Sequence, residues 1–127
     1  MWKYVIPTGE LFDAAGNKIT SFGYSGGNCG KNPEGKNNPL MVSVKNIGPL
    51  PPGLYTFGQP VPQSHLGPFA IPLIPDAANV MMGRGDFYVH GDTTPSGNAS
   101  EGCIILPRAI RNQLWASSDH RIQVVAS

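Results

Sequence analysis

The sequence is short of charge, of cysteine and of long apolar runs, and each scarcity closes a class of protein. Charged residues make up 13% of the chain and the nine Lys and Arg are scattered, for a net charge of +1, so no basic stripe exists to displace counterions from DNA or RNA. No apolar run approaches the roughly eighteen residues of a membrane span, which argues against insertion as a helix. The opening "MWKYVIPTGELFD" has no charged segment followed by an apolar one, so export by the general secretory route is not expected. Two cysteines, Cys29 and Cys103, permit one disulfide or two thiols, and their count does not choose between these. With three histidines and no C-x-x-C or H-x-x-x-H spacing, neither a structural zinc site nor any other metal or cofactor is expected. Repeats and linkers are absent as well, so all 127 residues read as one domain, expected to work as a monomer.

What the chain does have is turns. Sixteen Gly and thirteen Pro punctuate a sequence that is nonetheless 40% hydrophobic, a balance that fits a packed core better than disorder. "WKYVI" alternates in the manner of a half-buried strand, and "GELFDAAGNKITSFGYSG" has the form of a hairpin turning at Gly16 and Asn17. Residues 26–39 form a polar loop, "LMVSV" (40–44) resumes a strand, and Pro51, Pro52 and Gly53 make a rigid turn that launches another. In "FAIPLIP" (69–75) Pro72 points to an edge strand or an extended segment. Short strands end at His90 and begin at Ile104, "RIQVVA" supplies the last, and Pro107 opens a helix over 107–116. The expected fold is mainly β, a compact barrel or sandwich with one short helix.

The chemistry concentrates in "FYVHGDTTPSGNASEGCIIL", residues 87–106. His90 and Cys103 stand thirteen positions apart at the two ends of a polar loop, so that adjacent antiparallel strands would bring them together. A cysteine nucleophile needs a base, and a charged imidazole beside it favours the thiolate. On that pairing Cys103 is expected to be partly thiolate at neutral pH and to alkylate faster than Cys29. Gly102, just before the cysteine, would let backbone N–H groups approach a substrate carbonyl. The same residues also admit a plain reading, in which Cys103 is a small buried apolar side chain and His90 a structural one.

The segment "HGDTTPSGNASEGCIIL" resembles the signature of the L,D-transpeptidase (YkuD-type) catalytic domain, where H-G is followed by a polar loop, S-x-G-C and an apolar strand. His90, Gly91, Ser100, Gly102 and Cys103 fill those places. "PLPPGLYTF" is similar to the P-x-G-x-[YF] turn and strand of that family, and "FGYSGG" and "GRGDFYVHGD" bring the likeness closest to the small type VI secretion effector branch. The resemblance implies a Cys103 nucleophile, a His90 base oriented by the Gly91 carbonyl, and peptidoglycan stem peptides as substrate. It further implies synthesis in the cytoplasm, action on the cell wall in the periplasm, and a cognate immunity protein as partner. A phage lysis enzyme would share the same fold and dyad, and a non-catalytic wall-binding module remains a third reading.

The chain departs from the larger enzymes' S-H-G-C-x-R in having Glu101 and Ile105 where the second His and the Arg would stand. A substrate carboxylate must then be held elsewhere, and Arg84 is the candidate for a two-pronged contact, against a solvated loop arginine. Asp92 either assists His90 or binds a substrate ammonium, against a turn-capping role. Tyr24 and Ser25 are candidates for lining the pocket, against packing over a turn. His65 is expected at the surface, and Cys29 has no matched role.

Overall fold

The computed structural model describes residues 1–93 and 96–127; Thr94 and Pro95, inside the polar loop read from the sequence, lie outside the described residues. The strands are β1 (Trp2–Val5), β2 (Glu10–Phe12), β3 (Lys18–Thr20), β4 (Tyr24–Ser25), β5 (Gly53–Phe57), β6 (Ile71–Pro75), β7 (Tyr88–His90), β8 (Ile104–Ile105) and β9 (Arg121–Val125), with one α-helix, α1 (Arg108–Ala116). They form a single sheet in the order β3-β2-β1-β9-β5-β6-β7-β8-β4, curled into a half-barrel. The mainly β fold with one short helix is therefore as the turn density implies.

Alternation explains the hairpin β2–β3: its turn is locked by Asp13, whose Oδ1 accepts the N–H of Ala15 at 3.0 Å and of Asn17 at 2.9 Å. Beyond β3 the chain crosses to the opposite edge, where β4 pairs with β8, Tyr24 beside Ile105 and Ser25 beside Ile104. The crossing is tight at Gly9 and Gly23. The Gly23 N–H donates to the Gly9 carbonyl at 3.1 Å, and a Cβ on Gly9 would stand 1.8 Å from the Gly23 oxygen. The concave side of the sheet holds a core of Tyr4, Ile6, Leu11, Tyr55, Ile71, Val89, Ile104, Leu106, Ile122 and Val124, onto which α1 lays Leu114.

Three expectations need correction. "LMVSV" is not a strand: Asn38 caps a short 3-10 turn at Pro39–Met41, and the following residues continue as turns. β6 is an interior strand despite Pro72, pairing with β5 on one side and β7 on the other. Pro72 is tolerated because it lies just past the end of β5, where its carbonyl accepts the Gly58 N–H at 2.8 Å and no donor is required of it. Finally, β7 and β8 pair in parallel, Val89 beside Ile104 and His90 beside Ile105, so the polar loop is a crossover and not a hairpin.

Candidate functional site

The parallel register decides where His90 and Cys103 lie. Val89, Ile104 and Leu106 point into the core, so alternation turns Tyr88, His90, Cys103 and Ile105 to the other face. Cys103 sits beside Tyr88, whose N–H donates to its sulfur at 3.4 Å. His90 is two residues further along the neighbouring strand, so the two side chains stand diagonally on the same face. Both line a cleft of about 940 Å³ whose rim carries Lys45, His65, Asp86, Asp92 and Glu101. His65, expected at the surface, is exposed and yet faces this cleft.

The turn that delivers Cys103 is held by two buried serines. Ser100 Oγ accepts from the N–H of Gly26 at 2.8 Å and of Gly102 at 3.0 Å, and donates to the Cys103 carbonyl at 2.6 Å. Ser25 Oγ donates to the Gly102 carbonyl at 2.6 Å and accepts from Leu50 N–H at 3.1 Å. Gly102 adopts φ +137°, and a Cβ there would meet a Phe87 ring carbon at 2.6 Å and Arg84 Nη2 at 2.7 Å, so only glycine fits. Its N–H is committed to Ser100. Gly102 and Ser100 therefore brace the nucleophile's turn, and the Gly102 N–H itself is not open to an oxyanion.

His90 is buried, and its Nδ1 lies 2.9 Å from the Gly91 carbonyl. A carbonyl only accepts, so the neutral ring carries its proton on Nδ1 and leaves Nε2 with a lone pair. Burial holds the imidazole below its usual pKa, the Gly91 carbonyl pulls the other way, and the charges of Arg111 and His65 lower it further. Burial likewise pushes the Cys103 thiol up to about 11, against the Tyr88 N–H, which favours the anion. The resting pair is thus a neutral thiol and a neutral imidazole. The partial thiolate expected from the sequence is overridden because desolvation outweighs the single N–H at the sulfur.

Three further expectations change, those for Arg84, Ser25 and Tyr24. Arg84 does not offer a fork to solvent: Nη1 donates to the carbonyls of Val42 at 2.7 Å and Pro49 at 2.5 Å, and Nη2 to those of Gly48 at 3.0 Å and Glu101 at 3.2 Å. It lies over the Phe87 ring, 5.2 Å from its centroid, and fastens the 42–49 segment beneath the Cys103 turn. Ser25 is fully buried in that turn, and Tyr24 is buried beside it, its hydroxyl donating to Asp92 Oδ1; neither lines the cleft. Asp92 is a turn cap, its carboxylate also accepting the N–H of Thr93 at 2.8 Å and of Gly97 at 3.0 Å. Cys29 lines the same cleft as Cys103, and both are free thiols.

Replacing Arg84 with Met strips four carbonyls of their donor, and the expected cost is about 3–5 kcal/mol of folding stability. Urea unfolding checks it; a variant as stable as the parent would show the carbonyls to be dispensable. Arg111 went unread in the sequence, although its place three residues before Leu114 puts it on the buried side of α1. Among the described residues there is no cluster of side chains able to hold a metal ion, and no helix long and apolar enough to cross a membrane.

A family model described as the Tlde1 domain matches residues 20–126. No curated protein and no solved structure matches the chain.

Proposed function

Because the chain belongs to the Tlde1 domain family, type VI secretion effectors with peptidoglycan-modifying activity, we propose that it acts on stem peptides as an L,D-carboxypeptidase and L,D-transpeptidase through an acyl-enzyme on Cys103. The observation that carries this reading is the parallel β7–β8 register, which sets a cysteine and an Nδ1-tethered histidine on one wall of one cleft.

The neutral pair dictates the order of events. As Sγ of Cys103 attacks the carbonyl of the third stem residue, meso-diaminopimelate or its like, His90 Nε2 takes the thiol proton. Moving the proton with the attack avoids a free thiolate in a desolvated site. The Cys103 N–H, which bonds no described residue, is available to the oxyanion that forms. Collapse of the tetrahedral intermediate breaks the bond to D-alanine, whose nitrogen recovers the proton from His90, leaving a thioester. Water, deprotonated by Nε2, then gives the shortened stem; a D-amino acid or another stem's amine gives exchange or a cross-link. The protein would be made in the cytoplasm, reach a target cell's periplasm through the secretion machine, and be neutralised at home by a cognate immunity protein.

The test is incubation with purified tetrapeptide muropeptides and separation of products by mass. Loss of one alanine is expected, with its replacement by another D-amino acid when one is supplied. A cut inside the stem would mean an endopeptidase, and an untouched substrate would end the enzymatic reading.

A further inference from the structure

Behind His90, on the side away from the cleft, stands a cation that the chemistry above does not use. Arg111 is only 4% exposed, forms no ion pair among the described residues, and its Nε has no hydrogen-bond partner there. Nη1 donates to the Leu106 carbonyl at 3.0 Å, just past β8, and Nη2 to the Pro68 carbonyl at 3.4 Å, in the segment that brings His65 to the cleft. Gly91 faces the same guanidinium with its bare Cα: a Cβ there would lie 2.8 Å from Nη1. Leu106 is in turn tied to the base, since its N–H donates to the His90 carbonyl at 3.1 Å.

A buried guanidinium with no carboxylate beside it costs stability, and a neutral side chain could supply two hydrogen bonds at less expense. We propose that Arg111 is a positioning residue for His90: its guanidinium ties the end of β8 to the His65-bearing segment, fills the space behind Gly91, and stands as a fixed positive charge behind the imidazole. The mechanical part follows from the contacts. Gly91 supplies the carbonyl that holds Nδ1, so whatever fixes Gly91 aims Nε2 at the cleft. The electrostatic part concerns the second proton of the ring. The charged groups facing His90 are Arg111 from α1, His65 from the segment between β5 and β6, and Asp92 from its own turn. The first two disfavour the imidazolium and Asp92 favours it, but Asp92 is occupied by its turn. Arg111 is the one member of that set that is buried and permanently charged. Added to burial, which lowers the ring's pKa most, it helps keep the base free to accept a proton at neutral and mildly acidic pH.

The inference rests on His90 being the base, but its test does not need turnover. The His90 ring is titrated by NMR in the purified full chain and in the variants Arg111→Gln and Arg111→Lys. Gln keeps a donor for the Leu106 carbonyl and drops the charge; Lys keeps the charge and loses the fork. The wild-type midpoint is expected below the ordinary imidazole value, the Gln variant at least half a pH unit higher, and the Lys variant close to wild type. If alanine release is observed, the acid limb of its pH profile should move with the Gln midpoint, and kcat should fall about tenfold while KM stays within about twofold. A wild-type midpoint at or above the ordinary value overturns the proposal whatever the variants do, as does a Gln variant that titrates like its parent. Absence of alanine release from the wild type would overturn the enzymatic reading and leave the titration to decide this one.

Discussion

Cys103→Ala is expected to yield a folded protein that releases no D-alanine from tetrapeptide muropeptides. The variant should fold because the sulfur makes only a 3.4 Å contact from Tyr88 N–H and a 4.0 Å contact to the Asp86 carbonyl, and the backbone pairing of β7 with β8 does not depend on either. Activity should vanish because the other thiol, Cys29, does not stand on the strand beside His90, and burial together with the Glu101 carboxylate, whose Oε1 is 3.7 Å away, keeps it protonated. His90→Ala should retain the fold and lose about two to four orders of magnitude in kcat, the usual worth of a positioned base. Reactivity toward iodoacetamide adds a check on the protonation state. With the thiol pushed up to about 11, Cys103 should be sluggish at pH 7 and quicken steadily as the pH rises through the alkaline range. Peptide mapping by mass spectrometry tells alkylation of Cys103 from that of Cys29, and the muropeptide masses read alanine release. Full alanine release by Cys103→Ala would remove the nucleophile from the proposal, and rapid alkylation of Cys103 at pH 6 would show an ion pair in place of the neutral one.

Gly102→Ala should be the most damaging single methyl group in the chain. The backbone there is at φ +137°, a conformation that costs an L-residue about 1–3 kcal/mol, and the added Cβ would press on Phe87 and on the Arg84 guanidinium. Displacing Arg84 in turn loosens the carbonyls of the 42–49 segment and of Glu101. We expect about 3 kcal/mol or more of lost stability, with overpacking and strain contributing together. Activity in whatever fraction folds should fall at least tenfold, because the displaced turn is the one that carries the sulfur. Thermal unfolding alongside activity per folded molecule separates the two effects; a variant within about 0.5 kcal/mol of the parent would show that the turn can relax.

The sequence carries the parts of this architecture that depend on local chemistry. The β2–β3 hairpin was legible from the turn formers Gly16 and Asn17, and the helix from Pro107 and the spacing of Ile110 and Leu114. The contact between His90 and the Gly91 carbonyl was legible from likeness to other H-G motifs. What could not be read is set by partners far along the chain. "LMVSV" has the composition of a strand, but the Val42 carbonyl accepts from an arginine some forty residues away, and its neighbours close turns on themselves. The direction of β8 was misread because two short strands joined by a polar loop usually form a hairpin, and a polar crossover with no apolar periodicity in its sequence gives no sign of parallel pairing. Arg84 and Arg111 appear in the sequence as charges, which composition assigns to solvent; only the folded backbone shows the carbonyls that each one gathers. Arg84 thereby moves from a supposed substrate contact to the support of the nucleophile's turn.

The place of β9 bears on how the protein can be transported and assembled. Arg121–Val125 lies between β1, which it meets in parallel, and β5, which it meets antiparallel. The N-terminal ribbon β3-β2-β1 and the wall that carries the cleft are joined in the sheet only through this strand, the last one along the chain. Until it docks, the earlier strands amount to two separate half-sheets with open edges and no shared ladder. A chain that is stretched to pass through a narrow conduit, or that is still leaving the ribosome, therefore cannot bank partial native structure across the sheet. It must search for long-range pairings all at once, which makes folding slow and strongly cooperative.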